Sequence, residues 1–321
     1  MSVALLFSPQ GAQAVGMGRD LAAVWPSARA VFAEADAILG WPISTLAWEG
    51  PEEELNDTRQ TQPALLTTSI ASLRALDEAA GTRGEPLAPG YVAGHSVGEY
   101  AALVAAGALS FEDALRLVAR RGALMADAAV AGGMAAVIGL DRDDVATAVA
   151  SIDAGDDLVV ANDNAPGQVV ISGTDAALEA AAGPLRAAGA RRVIRLKVSG
   201  PFHSPLMRGV ADELERSLAE VTWHDADPPI VSNVTGTPLS AAADLRSSLA
   251  RQVYSPVEWV ASMERMLADG VDTFVECGPG GTLVGMVRSL DPDARTLSVA
   301  DPASCLEAAA VLDLAAAGIS A

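Results

Sequence analysis

Gly94, Ser96 and Gly98 form a G-x-S-x-G pattern within Tyr91-Val92-Ala93-Gly94-His95-Ser96-Val97-Gly98-Glu99-Tyr100. Apolar residues precede the pattern and a helix-like run follows it, so Ser96 falls on a sharp strand-to-helix turn. Glycines flank the serine because a Cβ on either side would collide in so tight a bend. Such a turn pushes the hydroxyl outward and aims the Val97 N–H, at the start of the helix, toward whatever the serine attacks. That N–H and the helix dipole suit a developing oxyanion. A serine is a weak nucleophile at neutral pH and needs a base within reach. The candidates are His95, His203 and His224. His95 lies inside the turn, where its ring can orient away from the nucleophile, and His224, between Trp223 and Asp225, reads as a surface residue. His203 stands in a Gly/Pro loop after Gly200 and Pro201, and a single histidine after a strand is more often structural or merely exposed. Three histidines and two cysteines, Cys277 and Cys305, give neither a zinc site nor a disulfide framework. Cys277, in an apolar run, reads as a small core residue.

A chain of 321 residues, half of them hydrophobic, can bury a large core. The formal charge of 21 − 41 = −20 argues against nucleic-acid binding and against an anionic membrane surface. The densest basic stretch, Arg191-Arg192 with Arg195 and Lys197, reads as a solvated strand edge. No apolar run approaches a membrane span, and Val3 to Phe7 has no basic residues ahead of it, so a cytoplasmic protein without signal peptide is expected.

The elements that must hold Ser96 alternate between strand and helix. Val3 to Phe7 is a buried strand running into the loop Ser8-Pro9-Gln10-Gly11-Ala12-Gln13. Helices are expected over Met17 to Val24, over Ser27 to Leu39, and from Gln62-Pro63 to Leu76, with Pro63 in a first turn. Gly81 to Gly90 is a polar loop, Tyr91 to Ala93 a strand, and a helix runs from the serine turn to about Ala106. Met134–Leu140, Asp141–Ile152, Leu158–Ala161, Gln168–Ile171, Asp175–Ala188 and Arg192–Val198 then read in the order βαββαβ, that of a ferredoxin-like unit. Asp141 is the expected N-cap of the first helix of this unit, and Asn162 to Gly167 the turn between its middle strands. Gly132-Gly133 and Ser199-Gly200-Pro201 bracket it as hinges. After it come a strand over Pro229 to Val234, helices over Leu245 to Tyr254 and Pro256 to Leu267, and a strand over Thr273 to Cys277. A helix to about Leu290 and an Ala-rich C-terminal helix finish the chain. The expected layout is residues 1–131 and 200–321 as one α/β domain and 132–199 as an inserted small domain.

Taken together, the motifs resemble the malonyl-CoA:acyl-carrier-protein transacylase family, the acyltransferases of fatty-acid and polyketide synthesis. They run in family order: Phe7 to Gln13, Thr61-Gln62-Pro63-Ala64-Leu65, Gly94 to Tyr100, Arg121-Gly122 with Met125, Asn162 through Gln168, Val198 to Ser204, Tyr254-Ser255-Pro256-Val257, and Glu276 to Gly280. The resemblance implies an α/β-hydrolase-like large domain with an inserted ferredoxin-like domain, acting on malonyl-CoA and an acyl carrier protein without metal or cofactor. It makes Ser96 the nucleophile, His203 the base, and the Gln10 and Val97 amides the oxyanion hole. It also gives the matching Ser255 a backbone role in orienting His203, where relatives usually carry Asn. Arg121, which on residue type alone reads as a solvent-facing helix arginine beside Arg120, becomes the clamp for the malonyl carboxylate. Gln62, Gln168 and Met125 match pocket positions. Phe202 matches relatives that crowd out a methyl branch, or is a packing residue. Departures fall at Ser8-Pro9, Ala12, Ser255 and Gly281. Two other readings carry over: an acyl hydrolase on the same scaffold, and a weakly active docking subunit of a synthase complex.

Overall fold

The computed structural model describes residues 2–81, 88–128 and 130–316. Most of the expected Gly81–Gly90 loop, at 82–87, lies outside them. Among the described residues eleven strands form two sheets. In chain order they are β1 (Val3–Phe7), β2 (Tyr91–Gly94), β3 (Gly133–Ile138), β4 (Leu158–Ala165), β5 (Gln168–Gly173), β6 (Arg192–Arg195), β7 (Ile230–Val231), β8 (Pro238–Leu239), β9 (Val257–Glu258), β10 (Thr273–Cys277) and β11 (Arg295–Val299). The first sheet has the order β11-β10-β1-β2-β7-β8 and is parallel apart from the β7–β8 pair. The second has the order β6-β3-β5-β4-β9 and is antiparallel apart from the β4–β9 pair. The fold is mixed α/β.

The unbroken apolar run of β1 suits a parallel strand covered on both faces. Leu5 and Phe7 join the main core with the Thr58–Gly81 helix, whereas Ala4 and Leu6 meet Trp259, Met263, Leu283 and Val287 on the other side. β1, β2 and β10 end level, Phe7 pairing with both Gly94 and Cys277. The loop after β1 and the serine turn after β2 therefore emerge together at the carboxyl edge, where open α/β sheets bind ligands. Alternation in the second sheet divides its faces. Ala135, Val137, Val169 and Ile171 pack with Leu178 and Leu185 of the Asp175–Ala187 helix, while Met134 and Val170 face a cavity over Ser96.

Several expected boundaries shift. The helix carrying Pro63 spans Thr58–Gly81, so Pro63 is an interior residue rather than a first-turn one. β4 runs on through Asn162 to Ala165, its ladder broken by register shifts, and leaves only Pro166-Gly167 as the turn. Asp141 stands at the helix start, yet its side chain accepts from Gly167 N–H at 2.9 Å instead of capping the helix. The sixth strand stops at Arg195, and the expected Pro229–Val234 strand shrinks to two residues. Val257–Glu258 pair with β4, so the helix expected from Pro256 starts at Trp259 and the second sheet borrows a strand from beyond residues 132–199.

Candidate active site

Ser96 sits on a left-handed backbone, φ 53°. A Cβ on Gly94 would stand 2.0 Å from the Gly98 carbonyl, and one on Gly98 would stand 2.2 Å from the Phe7 carbonyl oxygen. Both glycines are therefore imposed by close backbone approach. Asn233, just past β7, braces the strained turn: its Oδ1 accepts the Ser96 N–H at 2.6 Å and its Nδ2 donates to the Gly94 carbonyl at 2.7 Å. No signal in the sequence marked it.

His203 is likewise left-handed, φ 57°, its N–H tied to the Val253 carbonyl at 3.0 Å. Its Nε2 lies 2.8 Å from Ser96 Oγ. Its Nδ1 faces two carbonyls, Gln252 at 2.9 Å and Ser255 at 3.2 Å. Carbonyls only accept, so Nδ1 carries the hydrogen and the Nε2 lone pair is turned to the serine. The expected Ser255 contact is present and is shared with the closer Gln252. Burial, then the Arg121 charge and His95, push His203 down to about 3, which keeps the ring neutral at physiological pH.

Arg121 is 1% exposed, on the inner face of the Phe111–Asp127 helix with Leu117, Val118 and Met125, whereas Arg120 points outward. Gly122 lets that helix approach the Thr58–Gly81 helix, since a Cβ there would stand 2.8 Å from the Thr58 carbonyl oxygen. Arg121 Nη2 reaches Ser96 Oγ at 3.1 Å and Gln252 Oε1 at 3.1 Å, and Nη1 reaches Gln62 Oε1 at 2.6 Å. These partners are neutral, and the guanidinium also lies over the Tyr100 ring. A buried cation held by neutral oxygens is poised for an anion.

Of the remaining expected residues, Gln62 is buried and its Nε2 meets Met125 Sδ at 3.4 Å. Met125, Phe202, Gln10 and His95 line a cavity of about 140 Å³ with Met134, Asn162 and Val170. The Gln10 side chain is committed to Thr58 Oγ1 at 3.2 Å, so what Gln10 can offer the cavity is its backbone N–H. Val97 begins the Gly98–Ala105 helix directly after the serine. His95 turns from Ser96 to Asn164 Oδ1 at 2.8 Å, and burial pushes it down to about 4. Gln168 departs from expectation. It is exposed at the hairpin end of β5, two residues beyond the cavity-lining Val170, a separation of about 7 Å along a strand.

Gln252 was missed. Its carbonyl orients His203, and its side chain holds Arg121 and the Ser96 carbonyl, the latter at 2.9 Å. The signal was its position: it shares the buried stripe of its helix with Leu245, Ser248 and Leu249, a polar residue on an apolar face.

A serine on a strained turn, hydrogen-bonded to a neutral histidine and flanked by a buried cation, defines a serine acyl-transfer centre. The acyl transferase domain family matches residues 4–301. The chain is 44% identical to the malonyl CoA-acyl carrier protein transacylase of Bacillus subtilis (strain 168), over 94% of each chain. It is 44% identical to the protein of the same name from Escherichia coli (strain K12), over 95% of this chain and 98% of that one. A malonyl-transacylase solved in complex with its type II PKS acyl-carrier protein superposes with TM-score 0.92 at 40% identity, covering 97% of this chain and 100% of the other. The chain belongs to the acyl transferase family, among the malonyl CoA-acyl carrier protein transacylases.

Proposed function

We propose that this chain moves a malonyl group from malonyl-CoA to the phosphopantetheine thiol of an acyl carrier protein through an ester on Ser96. The observation that carries the reading is the placement of Ser96 Oγ between His203 Nε2 and Arg121 Nη2. The names of its relatives support the substrates.

His203 Nε2 takes the hydroxyl proton as Oγ bonds to the thioester carbonyl carbon. The carbonyl oxygen, now anionic, accepts from the Gln10 and Val97 amides. Collapse breaks the carbon–sulfur bond, and His203 returns the proton to the departing coenzyme A thiol. The carrier thiol then repeats the sequence in reverse: its proton passes to His203, its sulfur attacks the ester, and Ser96 regains the proton. Arg121 grips the distal carboxylate, which one carbonyl and one methylene separate from Oγ. Pairing that cation also relieves its effect on His203, so the base strengthens as the correct substrate arrives. Phe202, buried against the cavity, limits a branch on the methylene.

The reaction in this reading uses no metal or cofactor, and the protein works in the cytoplasm. Residues 1–131 and 200–321 form an α/β-hydrolase-like domain and 132–199 an inserted ferredoxin-like one. The strand order β6-β3-β5-β4, with helices on one face, supports the latter. No helix among the described residues is long and apolar enough to cross a membrane. Counting malonyl-carrier product against free malonate tests the reading. Carrier product should dominate, and malonate as the main product would make the chain a hydrolase.

A further inference from the structure

Glu99 lies beneath the nucleophile, and the acyl-transfer scheme leaves it unused. It opens the Gly98–Ala105 helix and is 3% exposed. Its carboxylate accepts from Gln252 Nε2 at 2.5 Å and from the Asn233 N–H at 3.4 Å. The same Gln252 amide sets its Oε1 3.1 Å from Arg121 Nη2. The amide therefore stands with its N–H end toward an anion and its oxygen toward a cation, joining two buried charges that do not touch. A buried guanidinium needs a compensating charge. The direct partners of Arg121 are neutral, so Glu99 is the group placed to supply it.

We propose that Glu99 is the resident counter-charge of Arg121, and that it takes up a proton when the substrate carboxylate binds. Glu99 is then a positioning residue that sets the preference for carboxylate-bearing acyl groups. The inference rests on the malonyl-transfer reading above. In the free site one anion balances one cation. A malonyl carboxylate adds a second anion, and two carboxylates sharing one buried cation do not both stay ionised. The substrate holds the guanidinium directly, whereas Glu99 reaches it only through an amide, so Glu99 accepts the proton. Burial already pushes Glu99 up to about 7, which makes that proton available near neutrality. The groups facing Glu99 agree. Arg121 from the Phe111–Asp127 helix, the Gln252 amide and the Asn233 N–H favour its ionised form, and the adjacent Tyr100 hydroxyl is held protonated by burial.

The test loads wild-type protein with malonyl-CoA, without carrier protein, in weakly buffered indicator dye at pH about 7.5. There the departing thiol is mostly protonated and leaves the proton count undisturbed. The expected result is uptake of most of one proton per labelled serine. In parallel, kcat/KM for malonyl-CoA should fall up to about tenfold per pH unit above 7 in wild type, and Glu99→Gln should flatten this limb. A merely structural glutamate would not shape the limb. Labelling without proton uptake overturns the proposal while leaving malonyl transfer intact. Absence of label on Ser96 overturns both. Should Glu99→Gln fail to fold, the wild-type proton count decides alone.

Discussion

Replacing Arg121 with alanine separates carboxylate recognition from the rest of the machinery. In the proposed acyl-enzyme the guanidinium makes two charge-assisted hydrogen bonds to the malonyl carboxylate, each contributing about 1.5–3 kcal/mol. Their loss amounts to about 3–6 kcal/mol, or roughly a 10²- to 10⁴-fold fall in kcat/KM for malonyl-CoA. Acetyl-CoA has no carboxylate to lose. It gains, because wild type must leave a buried cation without an anionic substrate partner. The two specificity constants should therefore move in opposite directions. A second signature follows from the charge acting on His203. Removing a nearby cation raises the histidine, so the acid limb of kcat/KM moves to higher pH. The assay is paired transfer from malonyl- and acetyl-CoA from pH 9 down to pH 3, the acid values reached by brief pH jumps, so that the limb set by His203 falls inside the range. Equal losses for both substrates with an unmoved acid limb would refute the reasoning and reduce Arg121 to a packing residue.

Formate, filling the space of the missing carboxylate, should accelerate acetyl transfer by wild type and leave Arg121→Ala unaffected; competition between formate and acetyl-CoA would contradict the base-strengthening step. Asn233→Ala removes both braces of the serine turn. At about 1–1.5 kcal/mol each this should lower kcat roughly 30- to 150-fold, with KM little changed, as single-turnover labelling of Ser96 would record. His203 and His95 are both held below their usual 6.5, at about 3 and about 4. The unfolded chain therefore binds more protons, and stability is lost as pH falls from about 6.5 toward 4. Each histidine contributes up to about 1.4 kcal/mol per pH unit. Urea midpoints measured against pH should show a shallower acid slope for His95→Gln.

Local sterics made the serine turn legible, because Gly94 and Gly98 are required by backbone approaches that any G-x-S-x-G elbow makes. The βαββαβ order was legible because β3, β4 and β5 are short apolar runs bounded by turn residues and the stretch around β6 alternates Arg195 and Lys197 with Ile194, Leu196 and Val198. Arg121 could not be resolved by residue type: only its register with Leu117, Val118 and Met125 distinguishes it from Arg120. Asn233 and Gln252 act on Ser96 from 137 and 156 residues away, and chain topology rather than local pattern brings them there. Gln168 misled because sharing a strand face with Val170 does not place a residue at the same height. The β9 strand was hidden because two residues carry no periodicity, and their pairing with β4 depends on the tertiary fold.

Central to the account is an ester between Ser96 Oγ and the malonyl group. Brief exposure of the protein to labelled malonyl-CoA, acid quenching and peptide mapping should place the label on the peptide containing Ser96. The Ser96→Ala protein should take none, and a carrier protein should discharge the label from wild type. Label retained by Ser96→Ala, or carried by another residue, would contradict it.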